Sequence, residues 1–360
     1  MVATQQVIID GDGHVLEDME GIRKFIPSHA IPEERLVKLL GIFPHLDHLH
    51  VPVGKTPPGS FNMVDANGWV KFAQEVGIKT SVLYPTAGLA YGRIADVDWA
   101  IATTRGYNDW LYETYMKKSP VLKGMGLIPM QEPEAAIEEL RRIVKDLGMP
   151  GAMLPATGLT ALLGAKEYWP VYREAEKLGC CLAIHGGAHS DIGLNHMNVF
   201  AATHALGHPF GLLINFASIV FNGIFDRFPK VKIAFMEGGV AWFLMALERF
   251  SGSYSGFTPH DPRKELLQLK PKEKVSDYII RHIQAGQIFV GCEGDEPLLA
   301  QAVKMVGAEP FLFSSDFPHE VNAELCRHEI EELLENEELT AADKEAILHK
   351  NAARFYNLDK

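Results

Sequence analysis

Short apolar runs recur along the chain, and each is followed by a stretch in which the apolar residues have helical spacing. The runs are four to seven residues long, and several are apolar almost throughout, which is typical of parallel strands buried on both faces. We predict eight strands, at residues 7–10, 79–85, 124–129, 151–155, 181–185, 231–237, 288–292 and 311–316.

Helical patterns fill the intervals between most of these strands. One begins at Pro133 with acids first and bases later, which suits the helix dipole, and another ends at Gly179, a common helix-terminating residue. The predicted helices are 98–117, 133–147, 167–178, 240–250, 296–306 and 320–335. This alternation predicts an α/β fold of the (β/α)8 TIM-barrel type. A doubly wound open sheet is the alternative, although no GxGxxG motif follows the first strand.

Two regions depart from this alternation. Residues 17–62, after the first strand, contain six prolines, and residues 186–230, after the fifth, are also long. Insertions at the carboxyl ends of barrel strands commonly build the substrate pocket or a lid. Residues 339–360 are expected to form C-terminal helices. We expect one distorted barrel domain over residues 1–360, with 17–62 as the insertion or lid.

Composition narrows the class of protein. The 360 residues carry 34 Lys and Arg against 46 Asp and Glu, a net charge of −12, which argues against nucleic acid or an anionic membrane as a partner. The four cysteines include no CxxC pair, which favours a reducing compartment. No signal-peptide pattern opens the chain, and no apolar run approaches the roughly 18 residues of a membrane span. We therefore expect a cytoplasmic protein.

Ionisable side chains complete several of the predicted strands. In the segment from Asp10 to His14 the polar residues are two apart, so an extended chain sends them to one side. The strand-end residues are Asp12 and His14 after the first strand, His185 after the fifth, Glu237 after the sixth, Glu293 after the seventh, and Asp316 followed by His319 after the eighth. Barrel enzymes place their chemistry at these positions, and carboxylates with imidazoles suit a divalent metal. The pattern predicts a metal site. Asp10 is expected to be a structural carboxylate or to orient a ligand, without binding the metal itself.

Each of these residues also has a structural explanation. His185 could be a core histidine with its ring nitrogens satisfied, Glu237 could belong to an ion pair, and Asp316 could cap the following helix. Their joint occurrence at strand ends is what favours a functional site.

Further candidates lie in the loops. His204 and His208 are four residues apart and would share a helix face, from which His208 is a candidate proton shuttle; this helix is expected to end or kink near Pro209. Arg93, after the second strand, is a candidate for binding a substrate carboxylate, and Tyr84 for the pocket wall. The other aromatic candidates for this wall are Phe43, Tyr91 and Phe200.

A histidine-rich segment lies inside the first insertion. His45, His48 and His50 have the composition of a second metal site, but no rigid element is predicted to hold them in place. We therefore expect this segment to act as a lid or an interface.

Several segments together resemble the amidohydrolase-2 family, the branch of the amidohydrolase superfamily that includes aminocarboxymuconate-semialdehyde decarboxylase and γ-resorcylate decarboxylase. The resemblance covers nearly the whole chain. Its marks are Asp10 to His14, Arg105 to Leu111, Ile184 to Gly187, Phe221 to Lys230 with Ala234 to Trp242, and Phe313 to His319. Any one of them alone would be weak.

The resemblance implies a ligand set. The first-strand pair of the family falls on Asp12 and His14, its next histidine ligand on His185, and its last ligand, an aspartate that can also move protons, on Asp316. One divalent ion is implied, with Zn²⁺ expected first. Because Asp12 stands where many members have histidine, the harder oxygen ligand leaves Mn²⁺ or Fe²⁺ open.

A second departure concerns the reaction. The decarboxylases of this family carry a catalytic histidine in or near the segment where this chain has Glu237. Glu237 cannot act as an imidazole would, so this position favours hydrolysis or hydration over decarboxylation.

The first functional hypothesis is therefore a metal-dependent hydrolase of a small organic acid, amide, ester or ring-cleavage product. The metal would activate a water, Asp316 or Glu237 would move the proton, and His208 or His319 would help stabilise the oxyanion. The alternatives are a nonoxidative decarboxylase of an aromatic or unsaturated acid and a barrel that binds without catalysis. A small molecule is the expected partner, and a homodimer is compatible with the sequence.

Overall fold

The computed structural model describes residues 6–30, 41–49, 56–190 and 192–358. Within these ranges, parallel strands lie side by side around a buried core. The strands are β1 Ile8–Val15, β2 Ile78–Pro85, β3 Leu122–Gly124, β4 Gly126–Leu127, β5 Gly151–Pro155, β6 Cys181–His185, β7 Lys232–Met236, β8 Ile288–Cys292 and β9 Phe311–Phe313.

The strands close into a ring. They pair in chain order from β1 to β3 and from β4 to β9. At the first junction the N–H of Met125 donates to the carbonyl of Leu83 at 2.9 Å, so β3 and β4 are two parts of one barrel strand. At the second junction the N–H of Asp316 donates to the carbonyl of Asp12 at 2.9 Å, which joins the end of β9 to β1. The predicted (β/α)8 barrel is confirmed, and the open sheet is wrong.

Helices alternate with the strands around the outside. They are α1 Met19–Arg23, α2 Ala66–Val76, α3 Val97–Leu111, α4 Pro133–Lys145, α5 Trp169–Leu178, α6 Phe200–Phe221, α7 Ile224–Arg227, α8 Ala241–Phe257, α9 Val275–Gln284, α10 Leu299–Val306, α11 Ala323–Glu335, α12 Ala341–Glu345 and α13 Asn351–Tyr356. Local signals set their ends: α2 follows Asp65, whose side chain accepts from the N–H of Gly68, and α5 stops at Gly179 with φ 65°.

Helix α6 is the longest helix in the described residues and supplies part of the functional site. It has 22 residues and continues through Pro209, where the sequence predicted an end or a kink. Its best 18-residue window has a mean hydropathy of 1.3, enough by length and composition alone to cross a membrane. In the structure Phe216 on its buried face packs against Phe235 of β7, with ring centroids 5.0 Å apart.

The first insertion and the C-terminal helices lie at opposite ends of the barrel. Described residues of the insertion reach the carboxyl ends of the strands, where Leu46 and Phe61 line a cavity. His50 lies outside the described residues. At the other end, the side-chain amide of Asn351 donates to the carbonyls of Ala308 and Phe311, at 2.8 Å each. The C-terminal helices are therefore fastened to the barrel by buried hydrogen bonds.

Candidate metal centre and its cavity

The four predicted metal ligands meet at the carboxyl ends of β1, β6 and β9. Asp12 Oδ1 lies 3.1 Å from His185 Nε2 and 3.5 Å from His14 Nε2. Asp316 Oδ1 lies 3.5 Å from the same nitrogen of His14. The strand ends, which are far apart in the sequence, thus bring two carboxylates and two imidazoles to one point.

The glycines of β1 allow its neighbours to approach closely. A Cβ on Gly13 would lie 2.4 Å from the ring of Trp69 on α2, and a Cβ on Gly11 would lie 3.0 Å from the carbonyl oxygen of Phe313 on β9. Larger residues would push these elements away. The alternation of glycine with acid and histidine in this strand therefore reflects packing as well as chemistry.

Main-chain carbonyls fix the orientation of both histidine rings. His14 Nδ1 lies 2.8 Å from the carbonyl oxygen of Pro85, and His185 Nδ1 lies 2.8 Å from that of Gly186. Because a carbonyl only accepts, each Nδ1 carries the hydrogen, and each Nε2 faces the carboxylates. Metal-bound histidines in proteins are commonly oriented by such a hydrogen bond.

The donor set fits a divalent cation. Within the described part of the chain, Asp12 Oδ2 and His14 Nε2 are buried without a hydrogen-bond partner. Burial raises the pKa of Asp12 to about 6 despite the nearby His185, and burial holds the pKa of His14 well below its usual range. The donor atoms of Asp12, His14 and His185 lie within 4.8 Å of one another. A cation bound among them would satisfy these atoms and offset the cost of burying them.

Asp316 and His319 form a proton-carrying pair beside this centre. His319 Nδ1 lies 2.8 Å from Asp316 Oδ1, and His319 Nε2 lies 2.9 Å from Thr86 Oγ1. Burial by itself lowers the pKa of His319, but the charge of Asp316 and their hydrogen bond outweigh it and raise the pKa to about 9. His319 is therefore protonated at neutral pH.

Glu237 connects the metal centre with helix α6. Its Oε2 lies 3.4 Å from His185 Nδ1, and its Oε1 lies 3.3 Å from His208 Nδ1. Burial, followed by the nearby His204, lowers the pKa of His208 to about 3. The backbone of Glu237 has φ 60°, and that of Asp316 has φ 52°. Non-glycine residues in this region are uncommon and cluster at functional sites.

A cavity of about 280 Å³ opens beside these residues. Its apolar lining includes Leu46, Phe61, Leu89 and Phe200. Its polar lining includes Thr86, His189, His204, His208, Glu237 and His319. An apolar pocket with a few convergent polar groups is the usual form of a small-molecule site.

A family model matches this chain from residue 9 to residue 358: the amidohydrolase model Amidohydro_2. The match includes β1 from Ile9 onward, the other eight strands in full, and every candidate ligand. The chain belongs to the amidohydrolase family. The prediction that the chain belongs to this family is confirmed. The prediction that it is a metal-dependent enzyme of this family is also confirmed.

Curated relatives of this amidohydrolase align over most of their length. A 2-amino-3-carboxymuconate-6-semialdehyde decarboxylase of Dictyostelium discoideum is 26% identical over 305 residues, covering 83% of this chain and 80% of the relative. A gamma-resorcylate decarboxylase of a Polaromonas species is 27% identical over 350 residues, covering 93% of this chain and 98% of the relative.

Solved structures share the fold over the whole chain. A dihydroxybenzoic acid decarboxylase from Polaromonas, solved with manganese and the inhibitor 2-nitroresorcinol, has a TM-score of 0.68 at 21% identity and covers 99% of this chain and 98% of its own. A 5-carboxyvanillate decarboxylase from Sphingomonas paucimobilis has a TM-score of 0.70 at 19% identity, with coverage of 98% and 99%. At these identities the likeness shows the barrel fold.

Two residues predicted to bind substrate lie elsewhere in this amidohydrolase. The hydroxyl of Tyr84 is buried and hydrogen-bonds that of Tyr356 at 2.7 Å, while its ring lies 5.1 Å from the ring of His185. The guanidinium of Arg93 donates to the carbonyl of His45. Neither residue lines the cavity within the described part of the chain. Tyr84 therefore packs against the candidate ligand His185, and Arg93 binds the first insertion through the carbonyl of His45.

Sequence reasoning missed Thr86, Phe61 and His189. Thr86 contacts His319, Phe61 stacks on the ring of His319 with centroids 5.4 Å apart, and His189 lines the cavity. All three lie in loops without hydrophobic periodicity. Only their position near a strand end could have identified them in the sequence, since Thr86 follows β2 directly and His189 is four residues beyond His185.

Proposed function

We propose that this amidohydrolase catalyses the metal-dependent, nonoxidative decarboxylation of an aromatic or unsaturated carboxylic acid. Hydrolysis came first in the sequence-based hypotheses, with decarboxylation as the alternative. The relatives named above are decarboxylases, which favours the alternative. The observation that carries the proposal is the contact between His319 and Asp316 at the cavity.

This pair is suited to donating a proton. A hydrolase needs a base beside the attacking water, whereas a decarboxylase needs an acid beside the carbon that loses CO₂. With the pKa of His319 raised to about 9, the pair holds a proton at neutral pH. The hydrogen bond of 2.8 Å places that proton on the path to Asp316 Oδ1.

In the proposed reaction, the bond between the carboxylate and its neighbouring carbon breaks, the electron pair stays on that carbon, and CO₂ leaves. His319 passes its proton to Asp316, and Asp316 delivers it to the carbon, so RCOO⁻ and this proton become RH and CO₂. His319 then takes up a proton from the solvent. Thr86 keeps the ring of His319 aligned through Nε2. Asp12, His14, His185 and Asp316 would hold a divalent ion, which would supply positive charge for the substrate carboxylate.

Glu237 has a role compatible with this reaction. The sequence raised a doubt, because Glu237 stands where the resembled decarboxylases have histidine. His208 from α6 lies 3.3 Å from Glu237, so an imidazole is present beside this carboxylate after all. We propose that Glu237 orients His208 toward the cavity, where its neutral ring can contact the substrate.

The metal, the partner, the domain and the location of the protein are also proposals. Two carboxylates in the ligand set favour a harder ion than zinc, and a neighbouring structure holds manganese, so we propose Mn²⁺, with Zn²⁺ and Fe²⁺ as alternatives. A small carboxylic acid is the proposed partner. We also propose one domain over residues 1–360 and a cytoplasmic location, and a homodimer stays a prediction.

The test is a comparison of two substrate panels. Protein loaded with Mn²⁺ or Zn²⁺ is incubated with hydroxybenzoates and unsaturated carboxylic acids, and CO₂ is measured. The same protein is incubated with esters, amides and lactones, and acid release is measured. We expect CO₂ from at least one acid, and none from the Asp316→Asn variant. Turnover of an ester or amide with no CO₂ from any acid would overturn the proposal.

A further inference from the structure

His189 lies on the cavity wall without a hydrogen-bond partner for either ring nitrogen. Its side chain is 3% exposed, and both Nδ1 and Nε2 are unpaired within the described part of the chain. Buried polar groups in proteins are nearly always hydrogen-bonded. Two unpaired nitrogens on a ring in the cavity wall therefore indicate a partner that arrives with the ligand.

The ring of His189 is held in place by its surroundings. The main-chain N–H of His189 donates to the carbonyl of Leu46 at 2.8 Å. On the other side, a Cβ on Gly207 of α6 would lie 2.0 Å from Cδ2 of the His189 ring. The ring thus packs directly on the helix backbone at a position where only glycine fits. Such packing presets the orientation of a polar group before the ligand binds.

Two further histidines complete a polar patch. The ring centroid of His189 lies 4.8 Å from that of His208 and 5.9 Å from that of His204. Leu89 and Phe200 make the neighbouring lining apolar. His208 contacts both His189 and Glu237, and Glu237 in turn contacts His185, so the contacts that join His189 to the metal centre run through His208 and Glu237.

The charges of the cavity favour an uncharged substituent. Its described lining contains three carboxylates, those of Asp47, Glu237 and Glu320, and neither lysine nor arginine. The protonated His319 also lines the cavity, but its charge is already paired with Asp316. Burial, followed by the nearby His208, lowers the pKa of His189 to about 3, so the ring is neutral and offers one donor and one acceptor. A second anionic group would meet carboxylates here, whereas a hydroxyl or carbonyl would match the imidazoles.

We propose that His189, with His204 and His208, binds an uncharged oxygen substituent of the substrate, a hydroxyl or a carbonyl, on the side of the molecule away from its metal-held carboxylate. This assignment rests on the proposed function, which makes the substrate a small carboxylic acid. It makes His189 a specificity-determining residue.

The test measures binding and needs no turnover. Mn²⁺-loaded protein is titrated with pairs of benzoates that carry either a hydroxyl or a methyl group at the same meta or para position. We expect the wild type to bind the hydroxyl member of at least one pair about 10-fold more tightly or better, because the methyl group leaves the imidazoles unpaired. In His189→Leu we expect the two members to bind within about 2-fold of each other, with the affinity for the methyl member unchanged.

Additional variants keep the test decisive. His189→Gln keeps a donor and an acceptor and should retain part of the preference, whereas His204→Leu should weaken it. If His189→Leu does not fold, Gly207→Ala displaces the ring while leaving the residue in place, and it should remove the preference. His260→Leu, at an exposed position, is the matched control and should behave as the wild type.

Three results would overturn the proposal. They are the absence of any hydroxyl preference in the wild type, an unchanged preference in the His189→Leu and Gly207→Ala variants, and a second metal ion per chain that is lost with His189. A preference that depends on His189 in a protein that releases no CO₂ supports this proposal and counts against the proposed reaction alone.

Discussion

Asn108 and Leu127 are hydrogen-bonded to each other in both directions. The N–H of Leu127 donates to Asn108 Oδ1 at 2.7 Å, and Asn108 Nδ2 donates to the carbonyl of Leu127 at 2.8 Å. The same nitrogen donates to Glu139 Oε1 at 2.8 Å. These bonds hold α3 and α4 against the barrel strand that is interrupted at Met125. The family segment from Arg105 to Leu111 is therefore structural.

We expect Asn108→Ala to lower the free energy of unfolding by about 2–4 kcal/mol, since it removes the side-chain partner of the buried N–H and carbonyl of Leu127. Urea denaturation followed by circular dichroism measures the change. Asn67→Ala, at an exposed site on α2, is the control and should stay within about 0.5 kcal/mol of the wild type. A loss at Asn108 no larger than in this control would show that the hydrogen-bonded link does not stabilise the fold.

His14→Ala should remove the metal and the activity together. Its Nε2 is the donor that lies between Asp12 and Asp316, and its loss should weaken metal binding by more than about 100-fold. Elemental analysis of dialysed protein measures the metal content. The exposed His328→Ala variant on α11 should keep a full equivalent. Full occupancy in His14→Ala would place the metal elsewhere.

Metal binding to the metal-free protein at pH 7 should release about one proton. Burial lowers the pKa of His185, but the charge of Asp12 and their hydrogen bond outweigh it and raise the pKa to about 9. Below that pH, His185 Nε2 carries a proton that the ion must displace. The affinity should therefore increase by about tenfold per pH unit from 7 toward 9.

Calorimetry in buffers with different ionisation enthalpies counts the released protons. In His185→Asn the metal should bind more weakly, and the pH dependence in this range should disappear. Equal affinity of the wild type at pH 7 and pH 9 would contradict the assignment of His185 as a protonated ligand.

His319→Gln should lower kcat by about 10²- to 10⁴-fold while the metal content stays unchanged. Because His319 acts as an acid, the activity of the wild type should fall as the pH rises through its raised pKa, and this decline should be absent in the variant. Stopped-flow measurement of CO₂ release over a pH series tests both points. A variant with wild-type kcat would show that the proton comes from another group.

Local patterns in the sequence were sufficient to predict the barrel, and they also identified the candidate ligands that the structure brings together. A buried parallel strand is apolar along its whole length, so a polar residue at its end, such as His185 or Asp316, stands out. All strands of a barrel point the same way, so their carboxyl ends lie at one face and these residues are expected to meet there.

Features that depend on contacts between distant segments were not predictable. The strand that is broken at Met125 is bound through Leu127 to the side chain of Asn108, which lies 19 residues away in the sequence. The placement of Arg93 against His45 depends on how the insertion folds over the barrel. Helix α6 continues through Pro209, since packing of its apolar face outweighs the local preference of proline.

The hydroxyl of Tyr356 donates to the carbonyl of Gly11 at 2.6 Å and accepts from Tyr84 at 2.7 Å, which fastens helix α13 beneath the strand that carries Asp12 and His14. The strand that carries these residues thus depends on a side chain that follows it by 345 positions in the chain. A nascent chain on the ribosome that has not reached Asp316 lacks a ligand and cannot close the barrel. The candidate site can therefore be assembled only after the chain has been synthesised through helix α13.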